Sequence, residues 1–365
     1  MMRLELPMQR ALHVPRDHCL APERVDAPIG PGGRYGRMFD LPPLEADEQL
    51  LHELGAAGGF CDGSDDARDA RVEAGWPFFG QYVAHDLTAD RSPLRAHTDV
   101  AALRNVRSAR ANLESLYGGG PVGTPYLYRR DDPAKLLEHD GDLPRNQEGI
   151  ALIGDPRNDV HVFMNQLQVA FIRAHDRLVD RLRADGVDEG ELFAEARRAL
   201  SWHYQWLILN DFLPSLVGSE LVDELFETGP RFYRPDGEAF IPLEFADAAY
   251  RYGHSQIRQL YRLQPDGPLY AVFPDLIGFG AVGDHRVDWA LLFDVPGPLW
   301  LYVLLESSVC HDGDRLGEVG GRIVAEVLYG VVAADPESYL AVDPGWTPTL
   351  PARGATFRLA DLLVT

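Results

Sequence analysis

Only three cysteines (Cys19, Cys61 and Cys310) are spread over 365 residues. An odd, widely spaced set builds no disulfide framework, and a reducing, cytoplasmic setting is expected. Neither a CxxC nor an HExxH pattern occurs, which removes the usual footing for a structural zinc site or a zinc protease. Long apolar runs are missing too. The longest uncharged one, Val295–Leu305, contains two prolines and a glycine and falls short of the about 18 residues that suggest a membrane span. Arg3 and Glu5 stand where a signal peptide would carry its apolar stretch, so none is expected. Basic residues are scarce: 34 Lys and Arg against 56 Asp and Glu give a net charge of −22. A surface of that sign repels phosphate backbones and argues against nucleic-acid binding. Internal repeats and low-complexity tracts are also absent.

What is present is ordinary globular composition, 45% apolar and 25% charged, enough to build a sizeable core. Residues 1–45 read as an arm rich in Pro, Gly and Arg, 46–341 as one mostly α domain with few short strands, and 342–365 as a tail. A short helix is expected at 46–56. Another starts at Gly75 with Pro77 in its first turn, where a missing N–H costs little. A third starts after Pro156, capped by Asn158 or Asp159, and carries Val160, Phe163, Met164, Leu167 and Phe171 at helical spacing. Further helices are expected over 188–214, 246–262 and 320–334. A hairpin is expected within 125–145, and short strands at Phe240–Leu243 and Leu269–Phe273.

Several residue groups could carry chemistry. Gln81 and His85, four apart on one helix, share a face, while Asp86 points about 100° away. A buried histidine with a hydrogen-bonding amide neighbour is the simpler reading of that pair alone. Arg157, in GDPRND, stands at a turn before a helix, where it faces a cavity or pairs with Asp155 or Asp159. His254, in YRYGHS, follows Gly253, which permits close approach of a flat ligand; a neutral imidazole there suits an axial metal ligand. Ser108, Arg110, Asn112 and Glu114 alternate in SARANLE and, with Asp86, make an oxygen-rich set of the kind calcium takes. A solvated polar loop is the plainer alternative.

Taken in order, GQYVAHDLT, SLYGGGP, GDPRNDVHVFMNQLQVAFIRAHDRLVD, YRYGHS and GRIVAEVLYG resemble the animal-type haem peroxidases of the peroxidase–cyclooxygenase superfamily, especially their bacterial members, from about Phe39 to Leu340. The resemblance implies a single large helical domain with haem between the His85 and His254 helices. It implies His85 as the distal acid and base, Gln81 as the distal glutamine, Arg157 as the distal arginine, His254 as the proximal iron ligand and Arg251 as the arginine near a haem propionate. It implies Ca2+ on Asp86, Ser108, Asn112 and Glu114, with Arg110 contributing its carbonyl. The implied activity is reduction of hydrogen peroxide with oxidation of a small organic molecule or a halide; a homo-oligomer is left open.

The chain departs from that pattern. Ala84 and Val160 stand where mammalian members tether haem through carboxylates, and His161 where some relatives place a methionine, so non-covalent haem b is expected. Asn112 replaces a common calcium-site aspartate. The parts flanking Pro298 and Leu299 abut where bacterial relatives carry a long helical stretch, and no asparagine follows Asn210 to orient the proximal imidazole. A non-catalytic haem-binding or interaction protein is therefore the alternative. Fatty-acid oxygenation ranks below both, because Arg251 stands where such relatives carry a radical tyrosine.

Overall fold

A computed structural model describes residues 35–42, 45–59, 72–90, 103–278, 280–293, 318–350 and 357–363. The three cysteines, most of the expected N-terminal arm and the Pro298–Leu299 junction lie outside the described residues.

Helix α1 (Glu48–Gly55) is capped by Asp47, which accepts from Leu50 N at 2.9 Å. Helix α2 (Trp76–Leu87) opens on Gly75 and Pro77. A Cβ at Gly75 would lie 2.2 Å from the Phe293 ring, so only glycine lets the chain enter the helix here. Apart from Gln81 and Ala84 every α2 residue is buried, as its near-continuous apolar sequence requires. Thr88 ends it, both its N–H and its hydroxyl donating to Ala84 O.

Helix α3 (Val162–Ala184) begins later than its sequence suggests. Asp155 accepts from Arg157 N and closes a separate 3-10 turn, Pro156–Asp159. The helix is then capped by His161, whose Nδ1 accepts from Met164 N at 3.3 Å, not by Asn158 or Asp159 as expected. Helix α4 (Leu192–Leu207) runs on through a π turn, Ile208–Phe212, to Gly218. The three helices meet through rings. Phe78 stacks on Phe163 at 4.0 Å, Tyr82 stacks on Phe171 at 4.8 Å, and Tyr204 of α4 meets Phe171 edge-on at 5.7 Å. Such pairs add about 0.5–1.5 kcal/mol each beyond area burial, so α2 is fixed on α3 and α3 on α4.

Helices α5 (Ser219–Thr228), α6 (Glu318–Ala334) and α7 (Leu359–Leu363) complete the body, α7 packing on α3. On α6, Val324, Val327, Leu328 and Val331 are all buried, as their spacing predicts. Extended pairs are short. Strand β1 (Tyr35–Gly36) lies parallel to β2 (Ile241–Pro242), and β3 (Leu260–Arg262) lies antiparallel to β4 (Leu269–Ala271). The hairpin expected within 125–145 is reduced to single bridges, Tyr128 with Leu136 and His139 with Asp142.

The helix expected over 246–262 is a π turn, Glu244–Ala248, and a 3-10 segment, Ala249–Gln256, that gives way to β3. Ala248 leaves helical geometry (φ −127°, ψ −84°). Beyond it Tyr250 is tied down, stacked on Phe245 at 4.5 Å and donating its hydroxyl to Gly80 O of α2 at 3.1 Å. Gly253 adds weak helix propensity to that break.

Gly154 explains why GDPRND starts with glycine. A Cβ there would lie 2.5 Å from Ser115 O and 3.1 Å from Gly118 N, and backbone at that range does not give way. Gly154→Ala is expected to cost about 1–3 kcal/mol by overpacking. An unchanged urea midpoint would show that the two loops do not press on each other.

Candidate functional site

The residues singled out on the distal side converge. Nδ1 of buried His85 lies 2.8 Å from Asn158 Oδ1, and its Nε2 makes no hydrogen bond with a described residue. One turn earlier, Gln81 Oε1 lies 2.9 Å from His161 Nε2. Because His161 Nδ1 already accepts the cap bond from Met164 N, Nε2 carries the hydrogen and donates to Gln81. Arg157 closes the group: Nη2 donates to His85 O at 2.9 Å and to Asp155 Oδ2 at 2.8 Å, and Nε donates to Asp155 Oδ1 at 3.1 Å. The arginine is paired with Asp155, the plainer of its two sequence readings, and held at the His85 backbone oxygen.

Asp155 is the hub. Fully buried, it also takes the Nη2 of Arg107, whose Nη1 reaches Glu114 Oε1 at 3.4 Å. Burial pushes its carboxyl up, but the hydrogen bonds and charges of Arg157 and Arg107 outweigh it and hold the group well below the ordinary carboxylate range. Sequence reasoning missed Arg107 and Asn158 as parts of the site. Both sit inside quoted motifs or beside them, but their partners come from distant elements.

Burial, and then the Arg157 charge, lower His85 to about 4. Burial and the nearby His85 do the same to His161. His175 and His203, also buried, are lowered to about 4. These four imidazoles stay neutral in the fold while an unfolded chain protonates below about 6.5. The unfolded state therefore binds more protons between about 6.5 and 4, and stability falls with pH across that window by up to about 1.4 kcal/mol per unit for each histidine. Asp86 and Asp176, raised by burial to about 6, oppose this, since their folded forms hold protons the unfolded chain has lost. Urea midpoints are expected to fall from pH 6.5 to pH 4.5; a flat or rising profile would contradict the buried neutral imidazoles.

Asp86 points away from His85, as expected, into the loop of the oxygen-rich set. Its two oxygens accept from Leu113 N at 2.9 Å and Ser115 N at 3.0 Å. Glu114 Oε2 accepts from Ser108 N and Oγ, Asn112 Oδ1 accepts from Glu114 N, and Arg110 pairs with Asp335 at 3.5 Å. Asp86 thus meets the 108–114 loop, but oxygens of Asp86, Glu114 and Asn112 already accept from protein donors and the Arg107 guanidinium supplies positive charge. No cluster of three or more His, Cys, Asp or Glu able to hold a metal ion occurs among the described residues.

The residues expected to hold the iron and a propionate are less assembled. His254 is exposed and makes no hydrogen bond with a described residue. Arg251, also exposed, donates to Ala246 O and pairs with Asp247 at 3.2 Å. The Tyr35 hydroxyl is raised by burial and then by Asp90 and Asp247, against the opposing pull of Arg157 and Arg251.

Residues 95–270 match the family model described as animal haem peroxidase. Over that stretch the chain carries an animal haem peroxidase domain. The match contains Arg157, His254 and the 108–114 loop, and begins beyond His85. Chorion peroxidase of Aedes aegypti is 34% identical over 128 residues, covering 33% of this chain and 16% of that protein. Thyroid peroxidase of Homo sapiens is 27% identical over 197 residues, covering 52% and 20%. The chain thus spans a fifth or less of these two curated peroxidases. They are animal proteins and lend no support to the bacterial affinity expected from the sequence. In fold, peroxidase A of Dictyostelium discoideum aligns with a TM-score of 0.51 at 11% identity, over 92% of this chain and 85% of that one.

An animal haem peroxidase domain implies a haem cofactor. Of the residues that would face it, His85 is buried with Nε2 unbonded to any described residue, and Arg157 is held at the His85 backbone oxygen. The residue that would hold the iron, His254, is exposed, and Tyr250 of the same segment donates to Gly80 O of α2, so this side does not present a fit. Two cavities elsewhere, of about 380 and 170 Å³, are lined by neither histidine nor Arg157. No helix among the described residues is long and apolar enough to cross a membrane.

Proposed function

We propose that this chain is a haem-dependent peroxidase that reduces hydrogen peroxide and oxidises a small organic molecule or a halide. The observation that carries the proposal is the Nε2 of His85, unbonded to any described residue, with Arg157 held at the same residue's backbone oxygen, in a chain whose following residues match the peroxidase family. Bound haem would supply the electrons that break the O–O bond. His85 Nε2 takes the proton from one peroxide oxygen and returns it to the other, which leaves as water. Arg157 places positive charge where negative charge grows as the oxygens part. Gln81, its Oε1 held by His161, keeps its amide N–H groups for water or halide. His254 and Arg251 are the residues that would hold the iron and a propionate. Ala84 and Val160 offer no carboxylate for an ester bond, so the haem is non-covalent. The reading includes a reducing compartment, on the spacing of the cysteines.

The test is haem titration of purified protein, followed by turnover of peroxide with a phenol or a halide. One equivalent bound and steady turnover is the expected result. Haem bound without turnover would support the non-catalytic alternative, and failure to bind would end both.

Calcium is not needed for this chemistry, because Arg107 already balances the Asp86 loop. EGTA is expected to leave the melting temperature unchanged. A fall on chelation, reversed by calcium, would show that the ion displaces Arg107.

A further inference from the structure

We propose that Asn158, held in turn by Gln168 and Tyr82, is the positioning residue that decides which nitrogen of His85 carries the proton. It keeps hydrogen on Nδ1 and leaves Nε2 as a bare lone pair. The catalytic consequence rests on the peroxidase reading; the tautomer itself does not.

The chain of bonds has one sense. The Tyr82 hydroxyl donates to Gln168 Oε1 at 3.0 Å, and Asn158 Nδ2 donates to the same oxygen at 2.9 Å. With its amide nitrogen turned to Gln168, Asn158 presents Oδ1 to His85 Nδ1 at 2.8 Å. An amide oxygen only accepts, so Nδ1 must donate. Neutral imidazole carries one hydrogen, so Nε2 has none. Tyr82 and Asn158 are fully buried, Gln168 nearly so, and His85 9% exposed, so water does not substitute for a missing link. A buried N–H without an acceptor is costly, which gives the chain its hold over the proton.

The parts come from three elements that α2 and α3 packing locks together. Tyr82 and His85 lie three apart on α2 and share a face. Gln168 lies on α3, and Asn158 on the 3-10 turn, where its own N–H donates to Asp155 O at 3.0 Å. The turn that carries Arg157 beside His85 therefore also carries the residue that sets His85's proton. With both amides reversed, Asn158 would donate to Nδ1 and His85 would carry hydrogen on Nε2, unable to accept a proton from peroxide.

The test uses the full chain labelled with 15N-histidine, without haem, read by long-range 1H–15N correlation; the His85 signals are those lost in His85→Gln. The expected wild-type result is a protonated Nδ1 and a bare Nε2. Asn158→Asp, which keeps an acceptor, should show the same form. Asn158→Leu should shift His85 toward Nε2–H and, loaded with haem, lower kcat/KM for hydrogen peroxide by about 10–100-fold, the range seen when a supporting hydrogen bond to a working histidine is removed. If Asn158→Leu does not fold, Gln168→Met, which frees the Asn158 amide, should show a mixture of the two forms. Nε2–H in the wild type, or Nδ1–H retained in Asn158→Leu, would overturn the proposal. The expected tautomers in a haem-loaded protein that does not turn over peroxide would sustain the proposal and refute the peroxidase reading.

Discussion

His85→Ala lowers kcat/KM for hydrogen peroxide by about 10²–10⁴-fold in haem-loaded protein, the range a positioned general acid and base contributes. No neighbour takes over the role. His161, the nearest second imidazole, has Nδ1 occupied by Met164 N and Nε2 by Gln81. Arg157 has no lone pair to receive a proton. The substitution removes a buried ring, so melting temperature and far-UV circular dichroism must accompany the rate to separate lost chemistry from lost fold. Burial and the Arg157 charge hold His85 at about 4, so it stays a base well into acid. The rate should therefore persist below pH 6.5, where an ordinary imidazole becomes protonated, and fall only toward pH 4. A variant that reduces peroxide as fast as the wild type would contradict the mechanism.

Asp155→Ala destabilises the fold by about 3–5 kcal/mol, the cost of stripping a buried charge of its partner. The residue answers two arginines at once and accepts the Arg157 N–H that closes the 3-10 turn. Removing it leaves Arg107, itself buried, with only Glu114 as an ionic partner among the described residues. It also releases Arg157 from the orientation that brings Nη2 to His85 O. Urea unfolding gives the stability change, and peroxide turnover should fall with it. The pH sign is separable. Asp155 is depressed in the fold, so its stabilisation is present above the unfolded carboxylate value of about 3.9 and is lost only as pH falls through the lower folded one. The loss on going from pH 6.5 to 4.5 thus belongs to the histidines and persists in Asp155→Ala. A loss under about 1 kcal/mol would mean that the two arginines find other partners.

What was legible in the sequence was local. Helix α2 announces itself by an apolar run with proline in its first turn, and the four-residue spacing of Gln81 and His85 puts both beside the His161 and Asn158 turn. Helix α6 shows its buried face in Val324, Val327, Leu328 and Val331. The mostly helical class follows from such runs. The misses share one cause. The cap of α3 passes to His161 because Asp155 spends its side chain on a separate turn and on two arginines, one of them 48 residues away. Arg107 looks like one more surface charge until the fold brings it to Asp155 and Glu114. The expected 246–262 helix breaks because Tyr250 is drawn to Gly80, 170 residues earlier, a pull no local propensity reveals. His254 consequently lies exposed on a short 3-10 segment and not in the middle of a regular helix.

The most direct measurement is the absorption spectrum of haem-supplemented protein, before and after one equivalent of hydrogen peroxide, for wild type, His85→Ala and His254→Ala. The account predicts a histidine-ligated haem spectrum that peroxide alters quickly in the wild type, an intact starting spectrum with a slow response in His85→Ala, and loss of the ligated spectrum in His254→Ala. Haem that fails to bind the wild type, or a spectrum that peroxide leaves unchanged, would contradict it.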